Sequence, residues 1–153
     1  MNKTNHCIGV KMKKYLIIGL LVSMNTAAEP QFDDYLTSLD YAQIENVKAV
    51  QSKDKTWCFE VQIKHNDQGW NHYANGWQIY DLEGDIISGI IIGHPHDKKQ
   101  PFIRRHCNIK IKPDVPKVVV KTRCNVHGFG GRVIVLDMEK AKGDGHTITH
   151  YKK

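Results

Sequence analysis

The sequence lacks the marks of several large protein classes. No glycine-rich phosphate loop follows a strand-like run, and there is no nucleophile elbow. Phosphoryl transfer of the P-loop kind and serine hydrolysis therefore have no motif to rest on. The apolar run at residues 15–22 is too short for a bilayer span, which takes roughly 20 residues, and no second apolar segment suggests one. Basic residues form no stripe of the kind that tracks a nucleic-acid backbone, so nucleic acid is not an expected partner. Internal repeats and low-complexity tracts are absent, and cysteine is sparse, with four in 153 residues.

What is present begins with an export signal. Lys13 and Lys14 precede the apolar run, and Thr26, Ala27 and Ala28 supply the small residues a signal peptidase needs. The first acid is Glu29, straight after the expected cut. Residues 1–28 thus read as a signal peptide, with Met12 the more natural start, and the mature chain is expected to be periplasmic or secreted. No cysteine lies near the cut, so no acylation site is expected there. Removing residues 1–28 takes away four lysines and no acid, which lowers the formal charge from +6 to +2. The remaining length is one domain's worth and can bury a core without disulfides.

Hydrophobic periodicity divides the rest. Residues 29–45 form a polar lead-in, either a short helix over 34–44 or a loose segment. From Val47 the pattern is of strands and turns. Strands are expected at 47–50, 57–64, 76–81, 86–92, 103–111, 118–124 and 132–137. Trp57, Phe59, Val61 and Ile63 share one face; so do Val118, Val120, Thr122 and Cys124, and so do Arg105, Cys107, Ile109 and Ile111. About seven short strands over residues 46–139 predict an all-β fold, a single immunoglobulin-like antiparallel sandwich, with a small barrel as the other architecture of this kind. Residues 140–153 are polar and expected to be a mobile tail.

Histidine is the main compositional clue, with eight beyond residue 28. His94 and His96 flank Pro95, which holds the backbone extended, so both rings point one way and make half of a zinc or copper site. Hydrogen-bonded loop anchors are the plainer role for the same pair. Cys124 and His127 stand three apart at a strand end and can chelate one ion. Cys124 can equally fill core, or pair with Cys107, which would leave Cys58 out. His72 lies in an aromatic stretch with Trp70, Tyr73 and Trp77 and is a further ligand candidate.

Two resemblances follow. Tyr73-Ala74 with Trp77, His94-Pro95-His96 with Gln100-Pro101-Phe102 and Arg104, and His127-Gly128 with Gly130-Gly131 resemble a group of small exported bacterial proteins without an assigned activity. Cys124-Asn125-Val126-His127-Gly128 resembles the iron-binding segment of the superoxide reductases (desulfoferrodoxin and neelaredoxin), and His94-Pro95 resembles their His-Pro segment. That second resemblance implies non-haem iron on an immunoglobulin-like sandwich, held by His94, Cys124 and His127, with His72 or His65 standing for an upstream ligand. The sequence departs from it at Gln100, where the family has histidine.

The expected protein is an exported sandwich that binds copper or zinc through His94, His96, His127 and His72, with Cys124 close by. Its role is binding, carriage or sensing rather than turnover. The alternatives are a metal-free binding or structural module, with Arg104-Arg105 as part of a ligand or partner surface, and an iron protein like the superoxide reductases.

Overall fold

The computed structural model describes residues 35–152. The expected signal peptide and the start of the lead-in lie outside the described residues. Residues 35–42 are turns and irregular chain rather than a helix. The strands in chain order are β1 (Gln43–Gln51), β2 (Trp57–Lys64), β3 (Ala74–Tyr80), β4 (Ile86–Ile91), β5 (Phe102–Ile109), β6 (Lys117–Cys124), β7 (Gly128–Phe129), β8 (Ile134–Asp137), β9 (Lys142–Gly143) and β10 (His146–Thr149). One sheet runs β5-β2-β1-β10-β9. The other runs β4-β3-β6, with β7 and β8 both paired to β6. The chain crosses between sheets after β2, after β4, after β5 and after β8, and the first three crossings give the connectivity of an immunoglobulin-like sandwich. Among the described residues no helix is long and apolar enough to cross a membrane.

The core follows the alternation of the strands. Trp57, Phe59, Val61 and Ile63 of β2 face Trp77 and Ile79 of β3, Val118 and Val120 of β6, and Ile134 and Leu136 of β8 in one cluster. Two features depart from the expected pattern. The tail beyond Lys140 supplies β9 and β10, and β10 lies parallel to β1, against the antiparallel rule of the other ladders. His146 and Ile148 are its buried residues. Two inward positions are too few for a period-2 signal, and their partner strand is about a hundred residues away in sequence.

The second departure is in β5. Phe102, Arg104 and His106 pair with the inward residues Ile63, Val61 and Phe59, and then Ile109 pairs with Trp57. One extra residue is inserted, with Asn108 at a φ of 61°. This is a β-bulge, and it reverses the parity expected for Arg105 and Cys107. It also corrects the expected disulfide. Cys107 lies beside Cys58, with a Cα separation of 3.9 Å, and the two are bonded. Among the described residues Cys124 is the free thiol, buried at the end of β6.

Glycines allow a close approach near this end of the sandwich. A Cβ on Gly131 would stand 2.1 Å from the Ala42 carbonyl oxygen, and one on Gly130 would meet the Tyr41 ring at 2.4 Å. These two positions let the segment after β7 pack directly on the chain entering β1. Gly131→Ala is expected to cost about 1–3 kcal/mol, because the obstructing group is backbone and cannot swing away. Chemical denaturation measures it; an unchanged midpoint would show that the two segments separate freely.

Candidate metal centre

At one end of the sandwich, side chains from two connections, β2 to β3 and β6 to β7, meet over a single carbonyl. His65 extends the alternation of β2 by one more inward position. His72 sits just ahead of β3, Cys124 ends β6, and His127 follows in the next turn. His65 Nε2 and His72 Nε2 each lie 3.2 Å from the Asp40 carbonyl oxygen, His127 Nδ1 lies 3.0 Å from it, and Cys124 Sγ lies 3.5 Å from it. His65, His72 and Cys124 are buried, and one ligand atom from each falls within 4.8 Å of the others. His127 closes the group from the solvent side, with Nδ1 3.2 Å from His72 Nε2 and 3.7 Å from Cys124 Sγ. The imidazoles meet edge to face, with ring centroids 4.6 Å apart for His65 and His72 and 4.8 Å apart for His72 and His127.

Local chemistry explains why the chain adopts this arrangement. Gly128 takes a φ of 68°, which turns the chain back after His127. The His127 N–H donates to Cys124 Sγ at 3.1 Å. Asn125 accepts from Tyr73 N at 2.8 Å and donates to the carbonyls of Trp70 and Asn71, tying the turn to the loop that carries His72. On the far side, the Gln43 amide donates to the carbonyls of Leu36, Ser38 and Tyr41 and accepts from Arg132 N. It braces the turn that aims the Asp40 carbonyl inward.

Asp67 fixes His65. Both side chains are fully buried, and Asp67 Oδ1 lies 2.6 Å from His65 Nδ1. The carboxylate holds the Nδ1 edge of the ring, which leaves Nε2 as the ring nitrogen turned to the cluster. Oδ1 also accepts from Ala74 N, and Oδ2 accepts from His96 N at 2.6 Å. A carbonyl oxygen has two lone pairs, so it cannot satisfy four groups that converge on it. A cation among these atoms would turn crowded lone pairs into ligands. Three imidazoles, one thiolate and one carbonyl oxygen make a donor set for late first-row transition metals rather than for magnesium or calcium. A histidine oriented by a buried carboxylate is the usual support of such a ligand.

The residues expected from the sequence divide between two places. His72, Cys124 and His127 meet at Asp40. His94 and His96 lie with each other, ring centroids 4.5 Å apart, and with Arg104, whose Nη2 contacts Nε2 of both rings. His96 also stacks on Phe102 at 3.9 Å. Burial, then the Arg104 charge, then His94 hold the His96 ring below its ordinary pKa. From the sequence, His65 is only a stand-in for an upstream ligand, and Asp67 has no role. The signal for both was the parity of β2, which continues inward through positions 65 and 67.

These features define an all-β sandwich with a buried histidine–cysteine group able to hold a metal ion. Over 81 residues the chain is 35% identical to a protein of Halomicrobium mukohataei named "Putative lipoprotein". The match covers 53% of this chain and 39% of that protein, so the chain spans about two-fifths of the relative's length. No family model matches the sequence, and no solved structure matches it.

Proposed function

We propose that this is an exported protein whose sandwich binds one transition-metal ion through His65, His72, Cys124 and His127, with Asp67 orienting His65. The observation that carries the reading is the convergence of these four side chains on one carbonyl, with the outer nitrogen of a buried ligand already held by a carboxylate. Copper and zinc suit imidazole and thiolate together, and the role is binding or carriage. Export is supported by the signal-like residues 1–28 and by the Cys58–Cys107 bond, since disulfides persist in oxidising compartments. The relative's name points to the cell envelope as well.

Metal analysis of untagged protein recovered from the periplasm tests this. About one copper or zinc per chain is expected, lost in His65→Ala and kept when His94 and His96 are both replaced by alanine. Metal that follows His94 and His96 instead would refute the assignment. Asp67→Asn is expected to keep one ion per chain while weakening its affinity about 10- to 100-fold. Competition with a chelator reads this, and an unchanged affinity would remove Asp67 from the site.

A second reading has iron in the same place, as the superoxide reductases have. It is favoured by Cys124 and His127, which lie in the resembling segment, meeting two further imidazoles. Iron loading followed by visible spectroscopy separates the readings. A thiolate-to-iron charge-transfer band that disappears in Cys124→Ala supports iron, and failure to retain iron while copper or zinc is held supports the first.

A further inference from the structure

The His94-Pro95-His96 segment is left over by the metal centre. We infer that, together with Arg104, it forms an oxyanion site for a carboxylate or phosphate group, on the half-exposed edge of the sandwich beside β5.

Three observations carry this. First, among the described residues the Arg104 guanidinium forms no ion pair with a carboxylate. By contrast, Arg105 pairs with Glu60 and Arg132 with Asp144. Its Nη1 donates to the Ile103 carbonyl and its Nη2 faces the two imidazoles, which leaves further N–H groups of the fork for a ligand. Second, the guanidinium lies against the ring edges that a metal would need. Nε2 of both His94 and His96 is turned to a permanent positive charge, which opposes a cation there and favours an anion. Third, the group is held in place before any ligand arrives. His96 is stacked on Phe102, Arg104 lies 5.3 Å over the same ring, and the His96 N–H is bound by buried Asp67. Asp67 is itself committed to His65, Ala74 N and His96 N. Asp97 is exposed beside the pair.

A planar fork with two imidazoles beside it is suited to an oxyanion, since guanidinium binds carboxylate and phosphate through paired N–H bonds. His94 is exposed, and His96 and Arg104 are half-buried, so a ligand can reach them. The site is separate from the four residues at Asp40, and its test does not depend on metal.

Calorimetric titration of the mature chain, in metal-free buffer without other oxyanions, uses inorganic phosphate in one arm and acetate in the other. Saturable binding of one equivalent is expected, weakened at least tenfold in Arg104→Gln and severalfold in His94→Ala. Phosphate binding at least tenfold tighter than acetate assigns a phosphate ligand, and comparable binding assigns a carboxylate. Arg104→Lys keeps the charge without the fork and is expected to fall between wild type and Arg104→Gln. Circular dichroism checks that the variants fold, and His94→Ala, at an exposed position, serves if the Arg104 variants do not. Absence of saturable binding in both arms, or binding indifferent to Arg104 and His94, overturns the proposal. So does copper or zinc binding that is lost when His94 and His96 are replaced.

Discussion

Supplying the metal-free chain with copper or zinc at about 1,000 times the dissociation constant is expected to add about 4 kcal/mol to its stability, because the ion binds the folded state alone. For a domain of this size that corresponds to a rise in Tm of roughly 10–20 °C. Chelation should reverse it. In Cys124→Ala and His72→Ala the gain should largely vanish. The metal-free variants tell the two roles of these residues apart. Four groups converge on the Asp40 carbonyl, which can satisfy only two, so removing the Cys124 thiol leaves that carbonyl partnered and takes an acceptor only from the His127 N–H, in an exposed turn. Its loss without metal is expected to cost only about 1 kcal/mol, near the typical cost of a point mutation. Scanning calorimetry with and without metal measures both. A Tm indifferent to metal, with large losses in the metal-free variants, would mean that the cluster is a structural plug.

The second large effect concerns the covalent link. Cys58 and Cys107 close a loop with a sequence separation of 49 residues, from β2 to the edge strand β5. In the chain-entropy account, a loop of this length contributes about 4 kcal/mol by restricting the unfolded chain. That is a large share of the net stability of a small domain, which is about 5–15 kcal/mol. Replacing both cysteines with alanine should therefore lower the urea midpoint strongly. Metal binding should survive in whatever fraction remains folded, because the bond lies on a strand pair away from Asp40. If reduction alone left the midpoint unchanged, the two sulfurs would not be bonded in the native protein.

Much of the sandwich was legible from alternation. β2 and β6 are written in the sequence as apolar residues at every second position, and a period of 2 is a local property that needs no knowledge of partners. The Cys124–Gly128 segment was legible for the same reason, since a strand end, a tight turn and two chelating side chains lie within five residues. The disulfide was not. Its partners were decided by one inserted residue at Asn108, and a bulge shifts parity without leaving a mark in hydropathy. Nor were β9 and β10, whose few inward positions acquire meaning only beside β1.

The site shows the same division. Sequence alone determined that the chain is rich in imidazole and that His72, Cys124 and His127 are of ligand type. It could not determine which histidines share a point in space. That was decided by the packing of β2, β3 and β6 at one end of the sandwich, by Gly130 and Gly131 admitting the Asp40 turn, and by Arg104 standing beside the His94–His96 pair. Ligand chemistry belongs to single residues, but convergence depends on chain segments far apart in sequence, and only the folded backbone brings those to one place.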